Sequence, residues 1–261
     1  MSREVPPYPE GRNLLKGKSV VVTAAAGTGI GFAVAKRAAE EGARVLLSDF
    51  HERRLGEAAD RIADEAGVKR PATVLCDVTQ QDQVDALRDA AVAELGHVDV
   101  LINNAGLGGE APVVEMTDEQ WHRVLDVTLT SVFRMTRAFL PHMQARGSGA
   151  IVNNASVLGW RAQKGQAHYA AAKAGVMAFT RCSALEAAEH GVRINAVAPS
   201  IAMHAFLAKV TSDELLAELS AKEAFGRPAE VWEVANAMIF LASDLASYMT
   251  GEVLSVSSQR A

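Results

Sequence analysis

Three side chains in one stretch, Ser156 to Lys173 (SVLGWRAQKGQAHYAAAK), have the types and spacing to move a proton. Ser156 is expected on a loop just past a strand. Tyr169 and Lys173 stand four residues apart, among Ala170, Ala171, Ala172 and Ala174. That composition favours a helix, and residues at i and i+4 of a helix share a face. An ammonium beside a phenol favours the phenolate and lowers the tyrosine pKa. A tyrosine so tuned exchanges a proton near neutral pH, and Ser156 is placed to hold the oxygen that receives it. The competing reading is an alanine-rich packed helix with one tyrosine and one snorkelling lysine.

These residues need a frame, and the pattern along the chain supplies one. Lys18 to Ala24 (KSVVVTA) reads as a buried strand. It runs into Gly27, Gly29 and Gly31 and then a helical pattern closed by Gly42. Strand, glycine turn and helix together let backbone N–H groups and a helix N-terminus receive a pyrophosphate. The competing reading is a tight turn with no ligand. A second strand, Ala43 to Asp49, ends in a carboxylate eighteen residues beyond Gly31. A carboxylate there accepts hydrogen bonds from an adenosine ribose and repels a 2′-phosphate, which favours NAD over NADP. Two alternatives stand beside it: Ser48 or Asp49 caps a helix beginning near His51, or Arg53 and Arg54 accept a 2′-phosphate.

The alternation continues with strands over Ala72–Asp77, Val98–Asn103, Gly149–Asn154, Val192–Ala198 and Glu252–Val256. Thr79 to Asp82 and Thr117 to Gln120 resemble capping boxes, the second opening a long helix through about Phe139. The helix of Tyr169 is expected to run to about His190 and stop at Gly191. A final helix spans Ala229 to Ser243. The fold class expected is α/β: a doubly wound parallel sheet of seven strands flanked by helices, in a single domain. Ligands of such sheets sit at the carboxyl ends of the strands. The glycine turn, Asp49, Asp77, the Asn103–Gly106 turn, Ser156 and Pro199 all fall there.

Composition narrows the partners. The chain has 261 residues and a formal net charge of −5, which argues against nucleic acid or an anionic membrane surface. Cys76 and Cys182 have no metal-ligand spacing and suggest no disulfide framework. No metal site, signal peptide or transmembrane segment is expected, and a reduced cytoplasm is the simple inference. Residues 1–14 read as an exposed N-terminal arm with three prolines, and 15–261 as the domain. Residues 201–228 read as a lid, with Leu215, Leu216 and Leu219 at helical spacing and Gly226 and Pro228 as hinges.

From about Leu15 to Val256 the chain resembles the short-chain dehydrogenase/reductases. The residues carrying the resemblance are the glycine turn after Val22-Thr23, Asp77, Asn103-Asn104-Ala105-Gly106, Ser156, the Tyr169–Lys173 pair and Arg193 to Pro199 (RINAVAP). The resemblance implies a homotetrameric Rossmann-type enzyme that transfers hydride between a nicotinamide cofactor and a secondary alcohol or ketone. Tyr169 is then the acid/base, Ser156 positions the substrate oxygen, and Lys173 lowers the tyrosine pKa and bonds the nicotinamide ribose. Asp77 meets the adenine, Asn104 orders the cofactor and Asp49 binds the ribose. Thr23, Gly27, Gly29, Ile30, Gly31, Val78, Ala105, Gly106 and Pro199 complete the cofactor surface.

Four departures from the family pattern stand out. The glycine turn has one extra residue, with alanine where glycine usually follows Thr23. Thr128 replaces the asparagine that completes the family's catalytic tetrad and helps hold a proton-relay water; its hydroxyl is expected to bond water or a helix carbonyl instead. Pro199-Ser200 replaces Pro-Gly. Ala202-Met203-His204 replaces the threonine that bonds the nicotinamide amide.

The strings TAAAGTGIG, NNAGLGG, DVTLTSVF, NNASVLGWRAQ and RINAVAPSIA are similar to dehydrogenase/reductases of actinobacterial steroid breakdown. That similarity implies a CoA thioester of a hydroxylated, methylated indane carboxylate. Leu107, Gly108, Gly109, Trp160 and Met203 would give it an apolar mouth, although Trp160 and Met203 equally suit an interface or core. Arg161, Lys164 and Lys209 are candidates for the anionic CoA group, and His204 for the cofactor amide or a substrate carbonyl. The alternatives are an NADPH-dependent 3-oxoacyl thioester reductase, against which Asp49 argues, and a non-catalytic dinucleotide-binding protein.

Overall fold

A computed structural model describes residues 4–204, 207 and 213–259. The first strand, β1 (Ser19–Thr23), is buried along its whole length, as its β-branched run requires. Helix α1 (Ile30–Glu40) returns the chain to β2 (Arg44–Asp49), and α2 (Glu52–Ala66) leads to β3 (Ala72–Leu75). Then come α3 (Gln81–Leu95), β4 (Val100–Asn103), α4 (Asp118–Leu125), α5 (Ser131–Arg146) and β5 (Gly149–Asn154). The second half holds α6 (Ala167–Ala188), β6 (Val192–Pro199), β7 (Ala202–Met203), α7 (Asp213–Lys222), β8 (Ala229–Glu230), α8 (Val231–Ala242) and β9 (Val253–Val256).

Seven strands form one parallel sheet in the order β3-β2-β1-β4-β5-β6-β9, as the alternating pattern implies. The order reverses between β1 and β4, where Val21 pairs with Leu46 on one side and Leu101 on the other. Apolar clusters cover both faces, one built on Val20, Val22 and Leu47, the other on Val21, Leu46 and Leu101. The carboxyl ends of β1, β2, β4, β5 and β6 therefore open on one edge, beside the switch point.

Local expectations met mixed outcomes. Thr117 forms its capping box with Gln120 and starts α4. The Thr79 box does not form: α3 starts at Gln81 with no side-chain cap. Asp77 has captured Thr79 instead, its Oδ1 accepting from Thr79 N at 2.9 Å and Oγ1 at 2.7 Å. The long helix beyond Thr117 is broken by a π-helical turn over Asp126–Thr130 and then runs past Phe139 to Arg146.

The N-terminal arm is exposed along most of its length but is tied down. Tyr8 donates to Glu40 at 2.6 Å and meets the Trp232 ring edge-on at 5.5 Å. Buried Arg37 donates to Pro9 O, Glu41 and Asn236, and Glu41 accepts from the backbone of Arg12 and Leu14. The segment expected as a lid has its two ends joined: β7 pairs in parallel with β8, Ala202 against Ala229 and Met203 against Glu230. Gly226 takes a left-handed φ of 65° beside this joint. Lys209 lies outside the described residues.

Candidate active site

The glycine turn builds a cradle at the end of β1. Gly27 has a φ of 113°, which favours glycine. Ala24 takes the left-handed φ of 50°, a strain of about 1–2 kcal/mol for a residue with a Cβ. Gly31 is required by contact, because a Cβ there would lie 2.3 Å from Ala24 O and 2.5 Å from Asn104 Nδ2. A Cβ on Gly27 or Gly29 would meet nothing within 4 Å. Gly29 caps α1 without a side-chain bond, so the helix opens onto free space with its first N–H groups available. That is the space and the donor set a pyrophosphate needs, so the cradle fits a dinucleotide.

Asn104 holds the cradle to β4. Its Nδ2 donates to Thr23 O and Ala24 O at 3.3 and 3.2 Å, and its N donates to Thr23 Oγ1 at 3.0 Å. Asp49, buried at the end of β2, accepts from Ala26 N and His51 N, each at 3.1 Å. Burial pushes its carboxyl up, and the bond from Ala26 and the charge of Arg54 pull it back. Neither Ser48 nor Asp49 provides the side-chain cap of α2, whose N-cap is His51. Arg53 is engaged with Glu57 at 2.6 Å. A cavity of about 340 Å³ beside Asp49 is lined by Phe50, Asp77, Val78, Ala105 and Gly106. Phe50 is 67 % exposed there; its signal in the sequence was an aromatic residue directly after the strand-ending carboxylate.

The proton-handling residues come together at the ends of β5 and α6. Ser156 follows β5, and its Oγ accepts from Leu158 N at 3.2 Å. Tyr169 lies in the first turn of α6, and Lys173 Nζ sits 5.5 Å from its ring centre. Burial pushes the Tyr169 hydroxyl up to about 12, and a hydrogen bond with Ser156 acts the other way. Burial lowers Lys173 to about 7. The expectation that the ammonium would depress the phenol is therefore reversed: desolvation of both groups outweighs their proximity. Lys173 donates to Asn154 O at 2.5 Å.

Thr128, fully buried in the π-helical turn, departs from expectation. Its hydroxyl accepts from Leu107 N at 3.0 Å and donates to Leu107 O at 3.1 Å. Both bonds go to the loop after β4, and they clamp that loop beside Lys173.

A second cavity, about 260 Å³, adjoins Ser156 and Tyr169; Ile30, Gln163, Pro199, His204 and Gln259 are among its walls. Burial pushes His204 down, toward the neutral form, and its Nδ1 accepts from Leu207 N at 3.3 Å. Trp160, 52 % exposed, and Arg161 are not walls of this cavity. Arg161 reaches it indirectly, by donating to Gln259 Oε1. Gly108 and Gly109 lie against the start of α6, where added Cβ atoms would stand 3.9 Å from Tyr169 and 3.5 Å from His168. Asn154, Gln163 and Gln259 were missed from the sequence. Asn154 had a faint signal, its place two residues before Ser156; Gln259 had none, because its contacts are long-range. Among the described residues no group of three His, Cys, Asp or Glu is placed to hold a metal ion.

A glycine cradle at the switch point of a parallel sheet, with serine, tyrosine and lysine on the neighbouring strand and helix, defines a nicotinamide-dependent oxidoreductase. The chain belongs to the short-chain dehydrogenase/reductase family: the enoyl-(acyl carrier protein) reductase family matches residues 24–258. It is 66 % identical over 95 % of both chains to (5R,7aS)-5-hydroxy-7a-methyl-1-oxo-2,3,5,6,7,7a-hexahydro-1H-indene-carboxyl-CoA reductase of Mycobacterium tuberculosis. A 3-oxoacyl-[acyl-carrier-protein] reductase of Chlamydia muridarum is 38 % identical over 94 % of this chain and 97 % of its own. The crystal structure of a short chain dehydrogenase from Mycobacterium smegmatis superposes with a TM-score of 0.88 at 61 % identity, covering 99 % of each chain.

Proposed function

We propose that the protein interconverts a secondary alcohol and a ketone on a cyclic substrate carried as a CoA thioester, with NAD(H) as cofactor. The observation that carries the cofactor choice is the buried Asp49 carboxylate, already held by Ala26 and His51 and aimed at the cavity where an adenosine ribose would lie. A 2′-phosphate there would meet a negative charge; Arg53 lies with Glu57, and the charge of Arg54 already acts on Asp49. The substrate class rests on the mycobacterial relative's name and its 66 % identity. The fatty-acid-type relative stands further off at 38 %.

A nicotinamide cofactor supplies or accepts the hydride. Ser156 holds the substrate oxygen. In the reducing direction Tyr169 enters protonated, because its hydroxyl is pushed up to about 12, and gives its proton to the oxygen as the carbonyl carbon gains hydride. Lys173, poised at about 7, returns a proton to the phenolate. In oxidation each proton moves the other way. Thr23, Gly27, Gly29, Ile30, Gly31 and Asn104 hold the pyrophosphate side, Asp49, Asp77, Val78, Ala105 and Gly106 the adenosine side, and Pro199 the nicotinamide side. His204 serves as a neutral hydrogen-bonding group for the substrate, and Arg161 as a cation near its CoA portion, with Trp160 outside.

We assign the protein to the cytoplasm as a homotetramer. Among the described residues no helix is long and apolar enough to cross a membrane. Exposed Phe133 on α5 and Leu185 on α6 give the subunit apolar surface to cover. Residues 1–14 act as the arm, 15–261 as the catalytic domain and 201–228 as the substrate cover.

The test is turnover with NAD and NADP in parallel, on a hydroxylated indane carboxylate as free acid and as CoA thioester. Rapid NAD reduction on the thioester is the expected result. NADPH consumption on a linear 3-oxoacyl thioester, with none on the ring compound, would overturn it.

A further inference from the structure

Asn154, the last residue of β5, touches both halves of the site. Its main-chain oxygen accepts from Lys173 Nζ at 2.5 Å. Its side-chain Nδ2 donates to Asn104 Oδ1 at 2.9 Å. Asn104 in turn donates to Thr23 O and Ala24 O. One line of hydrogen bonds thus runs from the proton-transfer lysine to the strained backbone of the cradle.

The amide orientations along this line are fixed. Two carbonyls face the Asn104 amide, so its nitrogen must point at them and its oxygen at Asn154. Asn154 must then present its nitrogen to Asn104, which turns its own oxygen the other way. That oxygen, Asn154 Oδ1, is buried and has no partner among the protein atoms. A buried acceptor left unsatisfied is destabilising, and native structures supply such groups with water or a ligand donor. Asn154 is also a wall of the cavity holding Ser156 and Tyr169. The Thr128 hydroxyl is turned to the loop after β4, where it donates to Leu107 O and accepts from Leu107 N.

We infer that Asn154 is a positioning residue that couples Lys173 to the cofactor cradle, and that its side-chain oxygen accepts a hydrogen bond from a hydroxyl donor at the nicotinamide end, either an ordered water or a cofactor hydroxyl. No substrate identity enters this inference; it rests on the oxidoreductase site alone.

Asn154→Leu keeps the volume and removes both polar functions, while the main-chain contact to Lys173 remains. Asn154→Asp keeps the acceptor and places a charge beside the lysine. Three readouts apply to each: thermal midpoint, NADH affinity by fluorescence titration, and the pH profile of kcat/KM on a cyclic ketone. NADH affinity falling about tenfold in Asn154→Leu assigns the donor to a cofactor hydroxyl. Affinity within twofold, with the Lys173-governed limb of the pH profile displaced, assigns it to water. Asn154→Asp raises that limb in either case, because a carboxylate favours the charged lysine. A lowered thermal midpoint, with affinity and pH profile both unmoved in the two variants, would reduce Asn154 to packing and overturn the inference.

Discussion

The cradle at β1, α1 and β4 and the substrate cleft at its far side are built by different means. In the cradle the constraints act on the main chain. Gly31 admits no Cβ, Ala24 holds a left-handed φ, and Thr23 and Asn104 bond backbone atoms. In the cleft, side chains join segments far apart in sequence. Arg161 holds Gln259, and buried Glu223 accepts from Ser258 N at 3.1 Å and Oγ at 2.8 Å. The first region is fixed where its main chain is crowded, at Gly31; the second is held by the side chains that meet across it.

The comparison breaks most visibly at the proton-handling tyrosine of the cleft. Tyr169→Phe is expected to lower turnover about 10²–10⁴-fold through loss of the acid/base group, with NADH affinity, read by fluorescence titration, within twofold of wild type. Equal turnover in the variant would remove Tyr169 from the mechanism. Within the cradle, Gly31→Ala should weaken NADH binding by about tenfold or more and destabilise the fold by about 1–3 kcal/mol, since its Cβ would press on Ala24 O. Gly29→Ala, facing open space, should keep its melting temperature and lose NADH affinity only. Similar melting losses in both would show that the two glycines do not divide as described.

A pH experiment sharpens the comparison further. Lys173 falls from 10.5 to about 7 on burial, so between these values the unfolded chain binds more protons than the native one. Stability from this group therefore rises with pH from about 7 to about 10.5. Tyr169 moves the opposite way, from 10.0 up to about 12, and its contribution is lost as pH rises through that interval. From pH 7 to about 9.5 the wild-type melting temperature should gain on that of Lys173→Met; parallel curves would contradict the burial-driven shift. The smallest effect is expected in the cleft. Ser258→Ala removes one bond to Glu223 and should raise substrate KM about threefold while leaving NADH affinity alone. A change confined to NADH affinity would mean the tail serves the cradle.

Much of this was legible in the sequence, because sheet and cradle are written in local patterns. Buried strands are apolar runs, the turn carries its glycines, and Tyr169 and Lys173 fall one helical turn apart. What escaped depended on competition or distance. Thr79 looked like a cap, but Asp77, two residues away, offered its carboxylate first. The π-helical turn that aims Thr128 at Leu107 has no periodicity of its own. The Tyr169 shift was misjudged because spacing reveals a neighbouring charge and not the burial that overrides it. Gln259 joins the cleft through a fold-back of the chain end against Glu223, which no local pattern encodes.

The clasp of the N-terminal arm bears on the order in which the molecule is made. Tyr8 rests against Trp232, and Arg37 bonds Asn236, 199 residues further on. On a ribosome adding about 5–20 residues per second, the partner of Arg37 emerges roughly 10–40 s after Arg37 itself. The arm thus waits, without its full berth, until α8 has been made. The arm is a fastener that closes only once α8 is in place.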